Sequence, residues 1–134
     1  MEQQHSCEAV AVHCIDFRLQ KAISKFLGKR FPGGYDRIAV AGGVKDLVAN
    51  GENSLVFKNL KISSDLHQPK TIVLIQHGDC GAYGGSVEFA DFAAEEALQK
   101  EQLKSAERLS KAQFPSVAVE KFLIRLSGEL IPVI

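Results

Sequence analysis

The chain has 134 residues, enough for one domain of ordinary size and too few for two. Hydrophobic residues make up 46% of it and charged residues 24%, a balance typical of a folded domain, which excludes intrinsic disorder as the main state. Its 16 basic and 16 acidic side chains cancel, which argues against binding to nucleic acids through a bulk positive field.

Apolar runs alternate with helical patterns from the start of the chain. Residues 9–15 form a nearly continuous apolar run, typical of a strand that is buried on both faces. Apolar residues recur at three- and four-residue spacing over 19–31, which predicts an amphipathic helix that ends before a Pro-Gly-Gly turn. A second apolar run at 38–41 leads into Gly42 and Gly43 and predicts a second strand with a tight turn after it.

The middle of the chain predicts a broken helix and a third strand. The helical pattern is interrupted at 50–53, and either Asn53 or Ser54 is suited to cap its second part. The third strand is predicted over 71–75, another continuous apolar run.

The last third of the chain predicts one long helix and a short hairpin. Ser86 is suited to cap a helix rich in Ala, Glu, Leu and Lys that runs to about Gln113. The apolar segments 122–126 and 130–134 predict a strand and a short edge partner, because Pro132 is tolerated best at the edge of a sheet.

This order of elements is typical of an α/β domain. We expect a parallel sheet of about four strands, with helices on both faces and a short C-terminal edge strand, in a single domain over 1–134. The expected strand order is 2-1-3-4, in which the chain reverses its winding direction between the first and third strands. Ligands bind at such a reversal, beyond the carboxyl ends of the strands.

Membrane and disulfide patterns are both missing from the sequence. The longest aliphatic run is far shorter than the roughly 18 residues of a membrane span, and the first residues lack the pattern of a secretory signal. Three cysteines are an odd number and too few to staple a domain of this size. We therefore expect a cytoplasmic protein whose cysteines serve as metal ligands, nucleophiles or core residues.

Two clusters of chemically active residues lie at the expected site. Cys14, Asp16 and Arg18 follow the first strand, and His77 and Cys80 follow the third. Two thiolates and an imidazole are ligands that zinc accepts in tetrahedral geometry. Residues two apart in an extended chain point the same way, so we expect Asp16 and Arg18 to share the pocket of Cys14 and to form a charge-assisted pair.

The role of Asp16 stays open at this point. Held by Arg18, it can accept a hydrogen bond from a zinc-bound hydroxide, which makes the site catalytic. Moved onto the metal, it becomes a fourth ligand and closes the site. These residues can also have purely structural roles. Cys14 would then be a buried core residue, and Asp16 and Arg18 would form an ion pair at the end of a strand.

The remaining histidines and the third cysteine receive no functional role. His13 is expected to point away from Cys14, and we interpret it as a packing or hydrogen-bonding residue. His5, Cys7 and His67 fall in predicted terminal or loop segments, and we expect them to do nothing specific.

The strand ends carry Cys14-x-Asp16-x-Arg18, Ala41-Gly42 and His77-x-x-Cys80-Gly81. In combination these motifs resemble the beta class of carbonic anhydrases. The resemblance implies a dimer-forming α/β fold, a zinc ion held by two cysteines and a histidine (Cys14, His77 and Cys80), and a catalytic Asp16–Arg18 pair beside the fourth coordination position. It also implies reversible hydration of carbon dioxide to bicarbonate through a zinc-bound hydroxide, in a homodimer or a higher homo-oligomer.

The substrate contacts and two alternatives complete the interpretation. Gly42 and Gly43 are expected to bind substrate, because glycine lets backbone N–H groups approach bicarbonate oxygens closely. One alternative is hydrolysis of a related small molecule, carbonyl sulfide or carbon disulfide, at the same site. The other is a non-catalytic zinc- or bicarbonate-binding protein with Asp16 as the fourth ligand.

Overall fold

A mostly parallel sheet forms the centre of the molecule, of which the computed structural model describes residues 5–134. Its strands are, in chain order, β1 (Ala9–His13), β2 (Tyr35–Ala39), β3 (Thr71–His77), β4 (Ala118–Ile124) and β5 (Leu130–Pro132). They lie in the order β2-β1-β3-β4-β5. The first four pair in parallel and β5 pairs antiparallel with β4. The expected fold class, the strand order 2-1-3-4 and the short edge strand are therefore confirmed.

Helices connect the strands of the sheet. Within residues 5–134 they are α1 (Gln20–Arg30), α2 (Lys45–Asn50), α3 (Leu55–His67) and α4 (Phe92–Gln113). A 3-10 turn separates α2 from α3, and the Ser54 side chain caps α3 by accepting a hydrogen bond from the N–H of Phe57. Among the described residues, no helix combines the length and the apolar character that crossing a membrane requires.

Side chains of the central strands alternate between two apolar cores, one on each face of the sheet. Val10 and Val12 of β1 pack with Leu60 of α3 in one core. Ala11 packs with Leu27 of α1 in the other core. All five residues of β1 are buried, which explains its continuous apolar run and fixes this strand in the middle of the fold.

The long helix begins later than the sequence predicts, and Ser86 does not cap it. The helix starts at Phe92, where the Asp91 side chain accepts a hydrogen bond from the N–H of Ala94. Ser86 begins a separate 3-10 turn, and its hydroxyl donates to the buried carboxylate of Glu95. A tertiary contact therefore occupies the hydroxyl that was expected to cap the helix.

The second strand lies earlier than the predicted range 38–41. It covers Tyr35–Ala39, and Asp36 and Arg37 within it keep part of their surface exposed. β2 is an edge strand that pairs with β1 alone, so its sequence needs no continuous apolar run. The start of an edge strand is therefore invisible to a pattern that looks for such runs.

A lysine of β4 is buried against α4. Lys121 is 9% exposed, and its Nζ atom lies 2.9 Å from Oε1 of Glu107. The hydrogen bond from Lys121, together with Lys111, holds the pKa of Glu107 below its ordinary value. This pairing compensates the ammonium group for the hydration that it loses on burial.

We expect Glu107→Gln to lower the free energy of unfolding by about 1–3 kcal/mol at neutral pH, because the buried ammonium group loses its counter-charge. The folded-state pKa of Glu107 is lowered, so its stabilising contribution is full above the ordinary glutamate pKa and is lost as the pH falls through the folded value. Urea unfolding at neutral pH and at about pH 3 should therefore show a difference between wild type and variant that shrinks at the lower pH.

Glu101→Gln on the same helix is the control, since Glu101 is an exposed partner of Arg108 and contributes less than about 1 kcal/mol. Equal losses in the two variants, or a difference that persists at low pH, would contradict the assignment.

Candidate metal centre

The carboxyl ends of β1 and β3 bring three metal-ligating side chains together. Cys14 directly follows β1, His77 is the last residue of β3, and Cys80 lies in the turn that follows. β1 and β3 are neighbours at the point where the chain reverses its winding direction. The cluster therefore lies where ligands bind in open parallel sheets.

The spacing of the three side chains suits a tetrahedral metal ion. One ligand atom from each of Cys14, His77 and Cys80 lies within 4.8 Å of the others. The two sulfur atoms are 3.9 Å apart. Two Zn–S bonds of ~2.3 Å at a tetrahedral angle place the sulfurs ~3.8 Å apart, so the two cysteines already have the separation that zinc requires.

The imidazole of His77 is oriented toward the cysteines. Its Nδ1 atom donates a hydrogen bond to the carbonyl oxygen of Gly78 at 2.6 Å, which leaves the lone pair on Nε2 free to bind a ligand. His77 is 2% exposed, and its buried Nε2 atom has no hydrogen-bond partner among residues 5–134. A buried nitrogen without a partner costs free energy, and a metal ion between the side chains would remove that cost.

The sulfur atoms of Cys14 and Cys80 are in hydrogen-bond contact. This contact, together with the backbone N–H groups of Gly42 and Asp16, holds the pKa of Cys14 well below its ordinary value. The same contact, together with burial, raises the pKa of Cys80. A cation that displaced the thiol hydrogens would give both sulfurs the thiolate form that binds metal.

Asp16 is held at the edge of the cluster by Arg18. The guanidinium donates from Nη2 to Oδ2 of Asp16 at 2.7 Å, and the backbone N–H of Arg18 donates to Oδ1 at 2.9 Å. The hydrogen bonds from Arg18 lower the pKa of Asp16 to about 2, so the carboxylate is ionised at neutral pH. Its Oδ2 atom lies 4.0 Å from Nε2 of His77, which places a charged acceptor beside the metal ligands.

Asp79 is a third member of this charged group, and no sequence pattern predicts a role for it. Its Oδ2 atom accepts a hydrogen bond from Nη1 of Arg18 at 3.2 Å, and its Oδ1 atom accepts from the N–H of Ser86. Asp79 has a φ of 54°, in the left-handed region that residues other than glycine enter less often. Its N–H donates to the buried carboxylate of Glu95 at 2.6 Å, which holds this conformation. In the sequence, the one feature that could have pointed to Asp79 is its position between the predicted metal ligands His77 and Cys80.

Gln20 and His13 fix the backbone that follows β1. Nε2 of Gln20 donates to the carbonyl oxygens of Cys14 and Asp16 at 3.0 and 2.7 Å. Burial lowers the pKa of His13, and the neutral ring donates from Nδ1 to the carbonyl of Cys14 while Nε2 accepts from Arg37. The hydrogen-bonding role expected for His13 is confirmed, whereas Gln20 gave no signal in the sequence.

A cleft of about 880 Å³ opens in front of the cluster. Its wall includes Cys14, Asp16, Arg18 and Gly42. Gly43 packs behind the turn, where its N–H donates to the carbonyl of Val40. Of the two glycines expected to bind substrate, Gly42 therefore borders the cleft, and Gly43 uses its N–H within the protein.

Gly43 packs against a buried glutamine under the turn. Oε1 of Gln76 accepts a hydrogen bond from the N–H of Val44, and Nε2 donates to Gln99 and Tyr83. Gly43 has a φ of 59°, and a Cβ atom at this position would overlap with Oε1 of Gln76. This close approach requires glycine at position 43.

Known proteins resemble this chain in sequence. A family model described as "Putative carbonic anhydrase" matches residues 4–133. An uncharacterized protein of Rickettsia bellii is 25% identical over 131 residues, which cover 92% of this chain and 80% of the relative. An uncharacterized protein of Rickettsia conorii is also 25% identical over 131 residues, and the match covers 92% of this chain and 70% of that relative.

Solved structures resemble the chain in fold. Beta-carbonic anhydrase isoform I of the protozoan Trichomonas vaginalis has a TM-score of 0.69 at 17% identity, over 100% of this chain and 87% of that chain. A tetrameric beta-carbonic anhydrase of the ascomycete Sordaria macrospora has a TM-score of 0.65 at 12% identity, over 96% and 81%. At such identities the likeness shows that the fold is shared.

We expect Gly43→Ala to destabilise the protein and Gly28→Ala to leave its stability unchanged or raise it. Gly43 has a positive φ, which costs a substituted alanine about 1–2 kcal/mol, and the new methyl group would displace the buried Gln76 at a cost of about 1–3 kcal/mol more. Gly28 lies within α1, where a Cβ atom meets no neighbour within 4 Å and alanine is the better helix former by about 1 kcal/mol. Thermal and urea unfolding of the two variants measure this difference, and equal stabilities would contradict the requirement for glycine at position 43.

Proposed function

This chain belongs to the carbonic anhydrase family whose model matches residues 4–133, and we propose that it catalyses the zinc-dependent, reversible hydration of carbon dioxide to bicarbonate. The observation that carries the proposal is the buried cluster of Cys14, His77 and Cys80, with an unpartnered Nε2 atom on His77. Asp16, ionised and held by Arg18, adjoins this cluster. A metal ligand set that can activate water, beside an ionised carboxylate that can accept a hydrogen bond from that water, is suited to hydration of a small neutral molecule.

Cys14, His77 and Cys80 would hold the zinc ion. The separation of the two sulfurs and the free lone pair of Nε2 both fit a tetrahedral ion with these ligands. When bound, zinc supplies Lewis-acid activation of water, so that water acts as a nucleophile near neutral pH.

Asp16 would orient the attacking water. Its carboxylate is an ionised acceptor, and a water molecule that donates one hydrogen to it keeps a lone pair directed at the carbon of carbon dioxide. Both carboxylate oxygens accept hydrogen bonds from Arg18, so moving Asp16 onto the metal would break several charge-assisted bonds. This observation favours a catalytic site over a closed one with Asp16 as the fourth ligand.

Arg18 would act through Asp16 as a positioning residue. Its guanidinium bridges Asp16 and Asp79, so two carboxylates fix one planar cation. Asp79 is fixed in turn by the N–H of Ser86. This chain of contacts holds the carboxylate of Asp16 in one orientation while substrate enters and product leaves.

The cleft would hold the substrate. Carbon dioxide is small, linear and uncharged, and the apolar side chains of Ile15 and Phe17 on the cleft wall suit it. Gly42 borders the same cleft and, having no side chain, leaves room for substrate beside the backbone, while its N–H group is directed at Cys14. We assign it the substrate-binding role, and we assign Gly43 the shaping of the turn.

A homodimer or higher homo-oligomer would cover part of the cleft rim. Ile15 is 57% exposed and Phe17 86% exposed, which is unusual for large apolar side chains beside a site. The beta-carbonic anhydrases of Sordaria macrospora are described as tetrameric. Association of copies through this rim would bury both side chains.

We expect Cys80→Ser to hold one equivalent of zinc fewer than the wild-type protein after dialysis, because a serine hydroxyl is a poor replacement for a thiolate. Elemental analysis of the dialysed proteins measures this loss. Glu101→Gln is the control, since Glu101 is an exposed partner of Arg108 on α4, and this variant should keep the wild-type zinc content. A zinc content in dialysed Cys80→Ser equal to that of the wild type would show that the ligand assignment is wrong.

We expect Asp16→Asn to lower kcat/KM for carbon dioxide hydration by about 100-fold or more, with the tightly held zinc retained, because an amide is a weaker acceptor than a carboxylate. Stopped-flow hydration assays measure the rate. Asp65→Asn is the control, since Asp65 is an exposed partner of Lys61 on α3. Full activity of Asp16→Asn would contradict the role of Asp16.

Zinc-loaded wild-type protein without measurable hydration activity would contradict the proposed function itself. Assays of carbonyl sulfide and carbon disulfide on the same sample test the alternative substrates. Turnover of either of these, without turnover of carbon dioxide, would leave the site in place and show that the substrate is wrong.

A further inference from the structure

A second group of metal-ligating side chains lies at the opposite end of β1. Cys7 precedes this strand, Asp36 belongs to β2, and His67 is the last residue of α3. One ligand atom from each lies within 4.8 Å of the others. We propose that these three residues form a second metal site, for zinc or a divalent transition metal of similar ligand preference.

The donor set selects the class of metal. A thiolate, an imidazole and a carboxylate are ligands that zinc and its neighbours accept, whereas calcium and magnesium prefer oxygen atoms alone. The sequence interpretation gave Cys7 and His67 no role. The structure brings them together although 60 residues separate them along the chain.

The distances require only a small adjustment to admit an ion. Nδ1 of His67 lies 2.6 Å from Oδ2 of Asp36, and Sγ of Cys7 lies 4.0 Å from the same oxygen. Ligand bonds of ~2.0 Å to nitrogen and oxygen at a tetrahedral angle set these atoms ~3.3 Å apart. The Asp36–His67 hydrogen bond would therefore open by less than ~1 Å, a shift that small rotations of these partly exposed side chains supply.

The carboxylate of Asp36 supplies the negative charge that a cation requires. Its Oδ2 atom accepts hydrogen bonds from Nδ1 of His67 at 2.6 Å and from Oγ of Ser63 at 2.7 Å, and the thiol of Cys7 faces the same oxygen. A divalent ion in place of the hydrogens of His67 and Cys7 would be attracted to this charge, and the hydrogen bond from Ser63 would keep the carboxylate in place.

Metal binding at this position has a simple proton balance. The S–H bond of Cys7 breaks, its proton passes to solvent, and the sulfur donates a lone pair to the metal. The hydrogen that Nδ1 of His67 donates to Asp36 moves through solvent to Nε2, so the neutral imidazole binds through Nδ1, and Asp36 binds as a carboxylate. The step needs neither an oxidant nor a reductant.

The backbone holds the segment before β1 against this group. The N–H of Cys7 donates to the carbonyl oxygen of His67 at 2.9 Å, and the ring of His5 lies edge-on to that of His67 with centroids 4.5 Å apart. The three ligating side chains therefore come together from the segment before β1, from β2 and from α3.

The second site is independent of the proposed catalytic centre. β1 spans five residues between them, and at ~3.3 Å per residue this separates the two groups by roughly 16 Å. A metal at the second site would join the segment before β1 to α3 and β2. Its role would be structural, because half-exposed Asp36 and His67 stand outside the catalytic cleft.

Isothermal titration calorimetry, in which zinc chloride is added to the metal-free protein of 134 residues, tests the proposal. We expect two equivalents in the wild type and one in Cys7→Ser, one in His67→Gln and one in Cys80→Ser. The double variant Cys7→Ser with Cys80→Ser should bind none. Circular dichroism confirms that each variant is folded, and two independent single variants keep the test valid if one of them fails to fold.

Folded Cys7→Ser and His67→Gln proteins that bind as many equivalents of zinc as the wild type would overturn the second site, whereas a wild type that loses no equivalent in Cys80→Ser would overturn the first. Titration with cobalt(II) adds a spectroscopic readout, since the sulfur-to-cobalt charge-transfer absorption of the second equivalent should vanish in Cys7→Ser. Carbon dioxide hydration by zinc-loaded Cys7→Ser separates the two proposals, because loss of the second site should leave that activity unchanged.

Discussion

The parallel pairing of β1 with β3 is the constraint on which the candidate metal centre depends. Val12 lies opposite Leu74 in the register of these strands, so both strands end at the same edge of the sheet. Cys14 and His77 therefore meet, although 62 residues lie between them in the chain. A shift of one strand along the other would separate the sulfur from the imidazole, and burial of both strands on both faces prevents such a shift.

Buried polar groups hold in place the turn that follows β3 and carries Cys80. Gln76 bonds to the N–H of Val44 and to Gln99 and Tyr83, and Glu95 bonds to the N–H of Asp79. Such groups are expensive to bury unless their hydrogen bonds are satisfied, so the network admits few arrangements. It also explains the late start of α4, since the residues before Phe92 are engaged with the turn.

The two ends of β1 differ in how their ligating side chains are covered. At the carboxyl end Cys14, His77 and Cys80 are all buried, and a shell of hydrogen bonds fixes the surrounding backbone. At the amino end Cys7, Asp36 and His67 remain half-exposed, because β2 is an edge strand there. The first group is suited to chemistry that needs a fixed geometry, and the second to holding a segment in place.

The sequence alone determined the strand order, the fold class, the group of Cys14, His77 and Cys80, and the pairing of Asp16 with Arg18. These features are encoded by local patterns: continuous apolar runs mark buried strands, and a strand end fixes where the next few side chains lie. The tertiary structure decided the role of Asp79, the engagement of Ser86 by Glu95, the use of the Gly43 N–H inside the protein, and the meeting of Cys7 with His67. Each of these depends on a contact between segments distant in the chain, which exists only after the sheet and helices have packed.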